Sequence, residues 1–352
     1  VRQHSIFTAL MNPQIKYMQR CLELASKGLG KVSPNPMVGC VIVKNDTITG
    51  EGFHEFYGGP HAEVNAIKNA GGKFDGDEVM YVSLEPCNHQ GKTPPCTDLI
   101  LKTGIKNVVI ACRDTNPLVK GKGAEHLRKE GVHVIEGLME KEAIELNRRF
   151  FTFHQKKRPY IILKWAQTAD GFIGYSGASA SRLVVSNQEA HLLVHRWRSE
   201  EDAILAGANT LLMDNPQLTT RLWKGKNPVR IIIDRNLHLP LHLKVFDKNS
   251  SVIVLNQKKS FVNGHIEYIR TDCHNLHAIL EVLHSRQIAS LLVEGGTKTL
   301  NMFLEKNLFD ELRILVAPLK VNSGVKAPLV SLAGAEITPV GNNHLFHIIN
   351  KA

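Results

Sequence analysis

The sequence predicts an α/β protein of two domains. Three observations carry that expectation: a length of 352 residues, a strand–helix alternation that runs through both halves, and a basic, polar joint between them. Single hydrophobic cores stop growing below this length, so such a chain divides. Strands alternating with helices build layered sheets with helices packed on their faces.

Each element follows from local pattern. Met18, Cys21, Leu22 and Ala25 recur at helical spacing within 15–27, and Gly28 and Gly30 end the run. Residues 38–43 form a β-branched strand. Residues 61–70 read as a helix stopped by Gly71 and Gly72. A strand at 78–83, a helix at 96–102, a strand at 107–111, a helix at 123–129 and a strand at 132–135 follow. A closing helix spans 138–151, and 154–159 form a polar, basic linker. The domains are therefore expected at 11–153 and 159–352. Residues 1–10 read as an unstructured extension, lacking the apolar centre and cleavage pattern of a signal peptide. The second half restarts with a strand at 160–165. Further strands fall near 203–206, 229–234, 251–255, 288–293 and 312–316, with a helix at 300–306. The halves share no repeat.

Composition narrows the function classes. Hydrophobic residues at 43% and charged residues at 22% describe an ordinary soluble globular protein. The apolar runs are strand-sized, well short of the roughly 18 residues a membrane helix needs. A formal charge of +10 admits nucleic acid, an anionic membrane face or phosphorylated small molecules. Aromatics are only 6%, and the densest basic run, Lys156-Lys157-Arg158, is short. Nucleic-acid binders concentrate charge and interleave aromatics. The expected partner is therefore a phosphorylated small molecule, with no nucleic acid and no membrane, and a homo-oligomer is the expected assembly. Of Cys21, Cys40, Cys87, Cys96, Cys112 and Cys273, only Cys87 and Cys96 have a recognisable spacing. That argues for a reducing compartment, and a cytoplasmic location is expected.

The strongest motif is His61-Ala62-Glu63, followed by Pro86-Cys87 and then Cys96. One imidazole and two thiolates give Zn²⁺ three ligands and leave a tetrahedral position open, the catalytic arrangement. Zinc there lowers the pKa of bound water towards neutrality. Glu63, near the start of a helix, stays close to the metal without binding it, where it can shuttle protons. Cys96 opens the next helix, whose N-terminus is expected to favour its thiolate. The bland alternative is a structural zinc site with His54 or His89 as fourth ligand. Eight residues separate the cysteines, Asn88 to Pro95. A Gly-, Pro- and Thr-rich insertion carrying His89 and Lys92 suits a loop over a polar or phosphorylated ligand.

These residues resemble the bifunctional deaminase/reductase family of riboflavin biosynthesis. The resemblance rests on Pro34-Asn35-Pro36-Met37-Val38-Gly39, Gly52-Phe53-His54, His61-Ala62-Glu63 and the long Glu85 to Cys96 loop, which ends Thr93-Pro94-Pro95-Cys96. It continues through Asp114-Thr115-Asn116-Pro117 and Gly121-Lys122-Gly123. It implies a cytidine-deaminase-like three-layer domain and, behind it, a dihydrofolate-reductase-like domain. It implies zinc-dependent hydrolytic deamination of a diaminopyrimidinone ribosylamino 5′-phosphate, with Glu63 catalytic. Asn35, His54, His89, Lys92 and Asn116 match positions that hold base or ribose phosphate.

In the second half, Val293-Glu294-Gly295-Gly296-Thr297 lies between a strand and a helix, where backbone amides can approach a phosphate. Residues 163–171 resemble the opening strand of the family's reductase, and 208–221 its substrate and cofactor loop. The resemblance implies reduction of the ribosyl group to ribityl by NADPH. Lys164, Ser181, Arg198, Leu218, Arg221 and Glu294 match substrate positions, with Arg198 and Arg221 as phosphate clamps. Ala166, Leu183, Thr210, Asp214 and Gly296 match cofactor positions. Asn215 stands where a second Asp is usual, and Leu183 where an aromatic is common. The competing reading is a basic nucleic-acid-binding or RNA-editing deaminase whose second domain is not catalytic.

Overall fold

The computed structural model describes residues 13–89, 94–114, 121–176 and 183–350. Two compact units divide the chain at Lys156/Lys157. The extension 1–10 lies outside the described residues.

In the first unit, α1 (Pro13–Ser26), β1 (Gly39–Lys44), β2 (Thr47–Phe53), α2 (Ala62–Asn69), β3 (Val79–Val82) and α3 (Cys96–Thr103) follow in order. Then come β4 (Asn107–Ile110), α4 (Lys122–Lys129), β5 (His133–Glu136), α5 (Glu140–Leu146) and α6 (Arg148–Lys156). The sheet order is β2-β1-β3-β4-β5, with β1 antiparallel to its neighbours and β3, β4 and β5 parallel. Alternate side chains of each strand face opposite ways. One set, with Cys40, Ile42, Met80 and Ile110, packs on Ala66 of α2, Ile100 of α3 and Leu127 of α4. The other, with Val41, Tyr81 and Val109, packs on Met18 and Cys21 of α1 and Phe150 and Phe151 of α6. The result is three layers.

Strand β2 is absent from the sequence expectation, because Thr-Ile-Thr-Gly-Glu-Gly-Phe has weak strand character. Its glycines are there for packing. A Cβ on Gly50 would stand 2.5 Å from the Ala66 carbonyl oxygen, and one on Gly52 would stand 2.4 Å from the Ala66 amide nitrogen. Helix α2 thus lies directly on the β2 backbone, and α2 carries Glu63.

The expected closing helix is two helices meeting at Asn147, and α6 runs on to Lys156, shortening the expected linker. Nor is that linker solvated throughout. Arg158 is buried in a bidentate pair with Asp310 at 2.5 and 2.9 Å, which also accepts the Ile161 amide. A buried carboxylate gave that arginine a partner.

The second unit comprises β6 (Tyr160–Thr168), β7 (Phe172–Gly174), α7 (Gln188–Glu200), β8 (Ala203–Gly207), α8 (Ala208–Asp214), β9 (Val229–Ile233), β10 (Val252–Asn256), β11 (Phe261–Asn263) and β12 (Ile266–Arg270). It continues with α9 (Leu276–Ser285), β13 (Ser290–Val293), α10 (Thr297–Leu304), β14 (Glu311–Ala317), β15 (Val325–Lys326), β16 (Glu336–Val340) and β17 (Asn343–Ile349). The large sheet runs β11-β12-β10-β9-β8-β13-β6-β14-β17-β16. Its centre, β12 to β14, is parallel, and its edges are antiparallel. Helices α9 and α10 cover one face and α7 and α8 the other. Helix α7 is begun by Asn187, whose side chain accepts the Ala190 amide at 2.7 Å. In this sheet, β6, β8 and β13 end side by side, and ligands of parallel sheets sit at such carboxyl ends.

Candidate active sites

In the first unit, the loop after β3 delivers Cys87, the start of α3 delivers Cys96, and the residue capping α2 is His61. Their ligand atoms lie within 4.8 Å of one another. His61 Nδ1 stands 3.2 Å from Cys96 Sγ and 3.6 Å from Cys87 Sγ. Zinc bonds of about 2.0 Å to nitrogen and 2.3 Å to sulfur imply tetrahedral edges of about 3.5 Å. The donor set and its spacing fit Zn²⁺. The Cys96 amide, at the α3 N-terminus, donates to Cys87 Sγ at 3.4 Å. The helix end therefore favours the Cys87 thiolate, where the sequence suggested Cys96. A hydrogen bond from Cys96, with His61 adding, holds the Cys87 thiol well below its ordinary range. The Cys96 thiol is pushed up by sharing that hydrogen bond and by burial. Glu63 is 3% exposed, and burial raises its pKa against the pull of His61.

Beside this cluster, His54 Nδ1 lies 2.9 Å from the Pro60 carbonyl. That oxygen can only accept, so Nδ1 carries the proton and Nε2 accepts from Asn35 Nδ2 at 3.1 Å. Both ring nitrogens of His54 are used, which removes it as a fourth metal ligand. His89 also stands outside the cluster, and its buried Nδ1 has no hydrogen-bond partner. Lys92 and Asn116 lie outside the described residues.

In the second unit, Glu294 follows β13 and stands at the register level of Lys164 on β6. Arg198 of α7 grips it through Nε and Nη2 at 2.8 and 2.9 Å, and its Nη1 donates to the Thr219 carbonyl at 3.1 Å. Lys164 Nζ lies 3.6 Å from the same carboxylate. Burial opposes ionisation of Glu294, but Arg198 and Lys164 prevail and hold its pKa at about 2. Arg198, expected as a phosphate clamp, thus spends its fork on a carboxylate. The Gly296 amide donates to Thr210 Oγ1 at 3.0 Å, joining the start of α10 to α8. Helix α10 begins three residues earlier than expected, directly at the glycine pair. The first half of the expected loop 208–221 is helix α8, up to Asp214, closed by Asn215 at φ 39°. Asn tolerates that left-handed conformation. Leu218 is buried at φ 55°, Ala166 and Leu183 are half-buried, and Asp214 and Arg221 are exposed. Ser181 lies outside the described residues. Glycines and two helix starts at the carboxyl ends of β8 and β13 fit a dinucleotide phosphate.

Residues 11–112 match the cytidine and deoxycytidylate deaminase zinc-binding region, and 159–336 match the RibD C-terminal domain. The riboflavin biosynthesis protein RibD of Aquifex aeolicus is 43% identical over 316 residues, 88% of either chain. That of Escherichia coli is 37% identical over 91% of each. The chain belongs to the RibD family. A solved structure from Thermotoga maritima, a diaminohydroxyphosphoribosylaminopyrimidine deaminase/5-amino-6-(5-phosphoribosylamino)uracil reductase, superposes with a TM-score of 0.86 at 39% identity, covering 95% of this chain and 98% of that one. Acinetobacter baumannii RibD superposes at 0.87 with 32% identity, covering 96% and 98%. As a RibD protein, the chain is a bifunctional enzyme of riboflavin biosynthesis, a zinc deaminase and a reductase, with Zn²⁺ and NADPH as cofactors. The RNA-editing alternative is not favoured. Among the described residues, no helix is long and apolar enough to cross a membrane.

Two residues of the first unit have roles that the sequence reading does not assign. Asn147 is 1% exposed at the α5/α6 junction, and its carboxamide accepts the Met37 amide at 2.8 Å and donates to the Met37 carbonyl at 2.9 Å. It fixes the segment that carries Asn35. Glu85, two residues before Cys87, accepts the amides of Asp114, Gly121, Gly123 and Ala124 at 2.9 to 3.2 Å. A Cβ on Gly123 would stand 2.0 Å from the Pro86 carbonyl oxygen, so only glycine lets α4 approach the metal loop. Neither partner pair is adjacent in sequence, which is why no motif reveals it.

Proposed function

We propose that the first unit hydrolyses the ring amino group of a diaminopyrimidinone carrying a ribosylamino 5′-phosphate, and that the second reduces the product's ribosyl group to ribityl. The observation that carries this is the convergence of His61, Cys87 and Cys96 beside the buried Glu63. His61, Cys87 and Cys96 would hold zinc, which when bound lowers the pKa of a coordinated water towards neutrality. Glu63 takes one proton of the attacking water and gives it to the ring nitrogen, then carries the remaining proton of the new hydroxyl to the amino group, which departs as ammonia while the carbonyl forms. A carbon–oxygen bond forms as the carbon–nitrogen bond breaks. Asn35, oriented by His54, reads the pyrimidine edge, and His89, Lys92 and Asn116 hold base and ribose phosphate.

In the second unit, NADPH supplies the hydride. Lys164 and Glu294 face the sugar, Ser181, Leu218 and Arg221 complete its seat, and Arg198 holds Glu294 in place. Ala166, Leu183, Thr210, Asp214 and Gly296 hold the cofactor. Domains 11–153 and 159–352 carry the two reactions, in a cytoplasmic homo-oligomer whose cysteines stay reduced; all six are free thiols.

Stripping zinc with 1,10-phenanthroline tests the assignment. Ammonia release should fall with metal content, while NADPH oxidation on 5-amino-6-(5-phosphoribosylamino)uracil persists. Parallel loss of both would refute separate sites.

A further inference from the structure

The loop that leaves α8 is held in a shape it would not keep alone. Leu218 is buried with φ at 55°, a left-handed conformation that is costly for a residue with a Cβ and persists only where the surroundings enforce it. Beside it, the Thr219 carbonyl accepts from Arg198, whose fork grips Glu294, so the centre of the loop lies against the reductase cluster. Its other anchor is Asp247, 30 residues beyond Gln217. One oxygen of that carboxylate accepts Gln217 Nε2 at 2.7 Å, and the other accepts Arg230 Nη2 at 2.7 Å. Arg230, on β9, is wholly buried, and its Nη1 donates to the Val245 and Asp247 carbonyls at 2.8 and 3.1 Å. The turn at Lys244–Phe246 is therefore fixed to the sheet by a guanidinium, and Asp247 extends that fixity to the loop. Burial opposes ionisation of Asp247, but Gln217 and Arg230 prevail and hold its pKa at about 2. The far end of the loop hangs on the same turn. The Asn249 carbonyl accepts Asn227 Nδ2 at 3.1 Å, and Asn227 Oδ1 accepts the Thr220 amide and hydroxyl at 2.9 and 2.8 Å. The strained Leu218 sits between these two tethers.

We infer that Asp247 is a positioning residue of the reductase, holding through Gln217 the loop that presents Leu218 and Arg221 to the substrate. The inference rests on the substrate roles proposed above for those two residues and deepens them. A loop correctly shaped for only part of the time lowers apparent affinity by that fraction, yet leaves turnover of the bound complex alone. Loss of the tether should therefore show in the substrate KM and spare kcat.

The test is steady-state reduction of 5-amino-6-(5-phosphoribosylamino)uracil by the full-length, zinc-loaded protein at saturating NADPH. Gln217→Met keeps the bulk and leaves the Arg230–Asp247 pair whole, removing only the donor. It should raise the substrate KM about fivefold or more, with kcat within about twofold of wild type. Gln217→Glu sets one carboxylate against another and should raise the KM further. Adding Asp247→Asn to that variant reverses the hydrogen bond: the new amide donates to the new carboxylate while its oxygen still accepts from Arg230. The KM should then return to within about threefold of wild type, a coupling that side chains merely filling space would not show. An unchanged KM in Gln217→Met, a loss that falls on kcat instead, or a double variant no better than Gln217→Glu alone would overturn the inference. If Gln217→Glu does not fold, the KM and kcat of Gln217→Met decide alone. A wild-type protein that oxidises no NADPH with this substrate would overturn the reductase reading itself, and the inference with it.

Discussion

Glu63 occupies the first turn of α2, two residues past His61, and is all but sealed from solvent. Its neighbours are the imidazole of His61 and the sulfurs of Cys87 and Cys96, so its carboxylate stands where protons can pass to and from the metal side. Replacing it by glutamine keeps size and packing but removes the titrating oxygen. Glu63→Gln should therefore retain full zinc by elemental analysis while ammonia release falls by about 100-fold or more. Loss of zinc in that variant would make Glu63 a ligand, and retained turnover would remove it from the mechanism. The motif was legible here because chemistry dictates residue types at short spacing: His61-x-Glu63 on one helix, Cys87 and Cys96 flanking one loop. The assignment of thiolates was not, because it depends on which sulfur the Cys96 amide meets, a matter of loop geometry. Arg198 likewise reads as a phosphate clamp in sequence, and only the fold shows Glu294 within its fork.

Elements bring those side chains together through contacts that sequence pattern does not encode. Helix α2 sits on β2 only because Gly50 and Gly52 present bare backbone, and those same glycines hid the strand from a propensity reading. The Asn35 segment is held by Asn147, 110 residues away, through two backbone hydrogen bonds. At about 1 kcal/mol each, with further cost for leaving the Met37 groups buried and unpaired, Asn147→Ala should destabilise the deaminase unit by about 2–3 kcal/mol. It should also raise the KM for the deaminase substrate more than it lowers kcat, since the metal cluster is untouched. Thermal melts with deaminase kinetics check this. A variant with wild-type stability and KM would remove Asn147 as the positioning residue. Helices α7 and α9 were open to sequence reading in retrospect. Asn187 and Asn275 accept the first-turn amides of each, and Ala190, Val194 and Trp197 recur at helical spacing. Strands β16 and β17 were harder, because an antiparallel edge carries no βαβ rhythm.

At the scale of the molecule, two α/β units each close their own core and each carry one cluster of reactive side chains. The layered architecture followed from alternation alone, whereas the reductase chemistry needed the family, because a strand-Gly-Gly-helix turn is common to many sheets. The positive net charge suits a substrate that keeps its phosphate through both reactions. The central claim is that one chain performs hydrolysis and reduction in sequence on one ligand. The most direct measurement gives purified, zinc-loaded protein the diaminopyrimidinone ribosylamino 5′-phosphate and follows ammonia and NADPH absorbance together. The account predicts ammonia appearing first, then NADPH oxidised in equal amount and only after deamination. NADPH consumed without ammonia, or ammonia released with no NADPH oxidised, would contradict it.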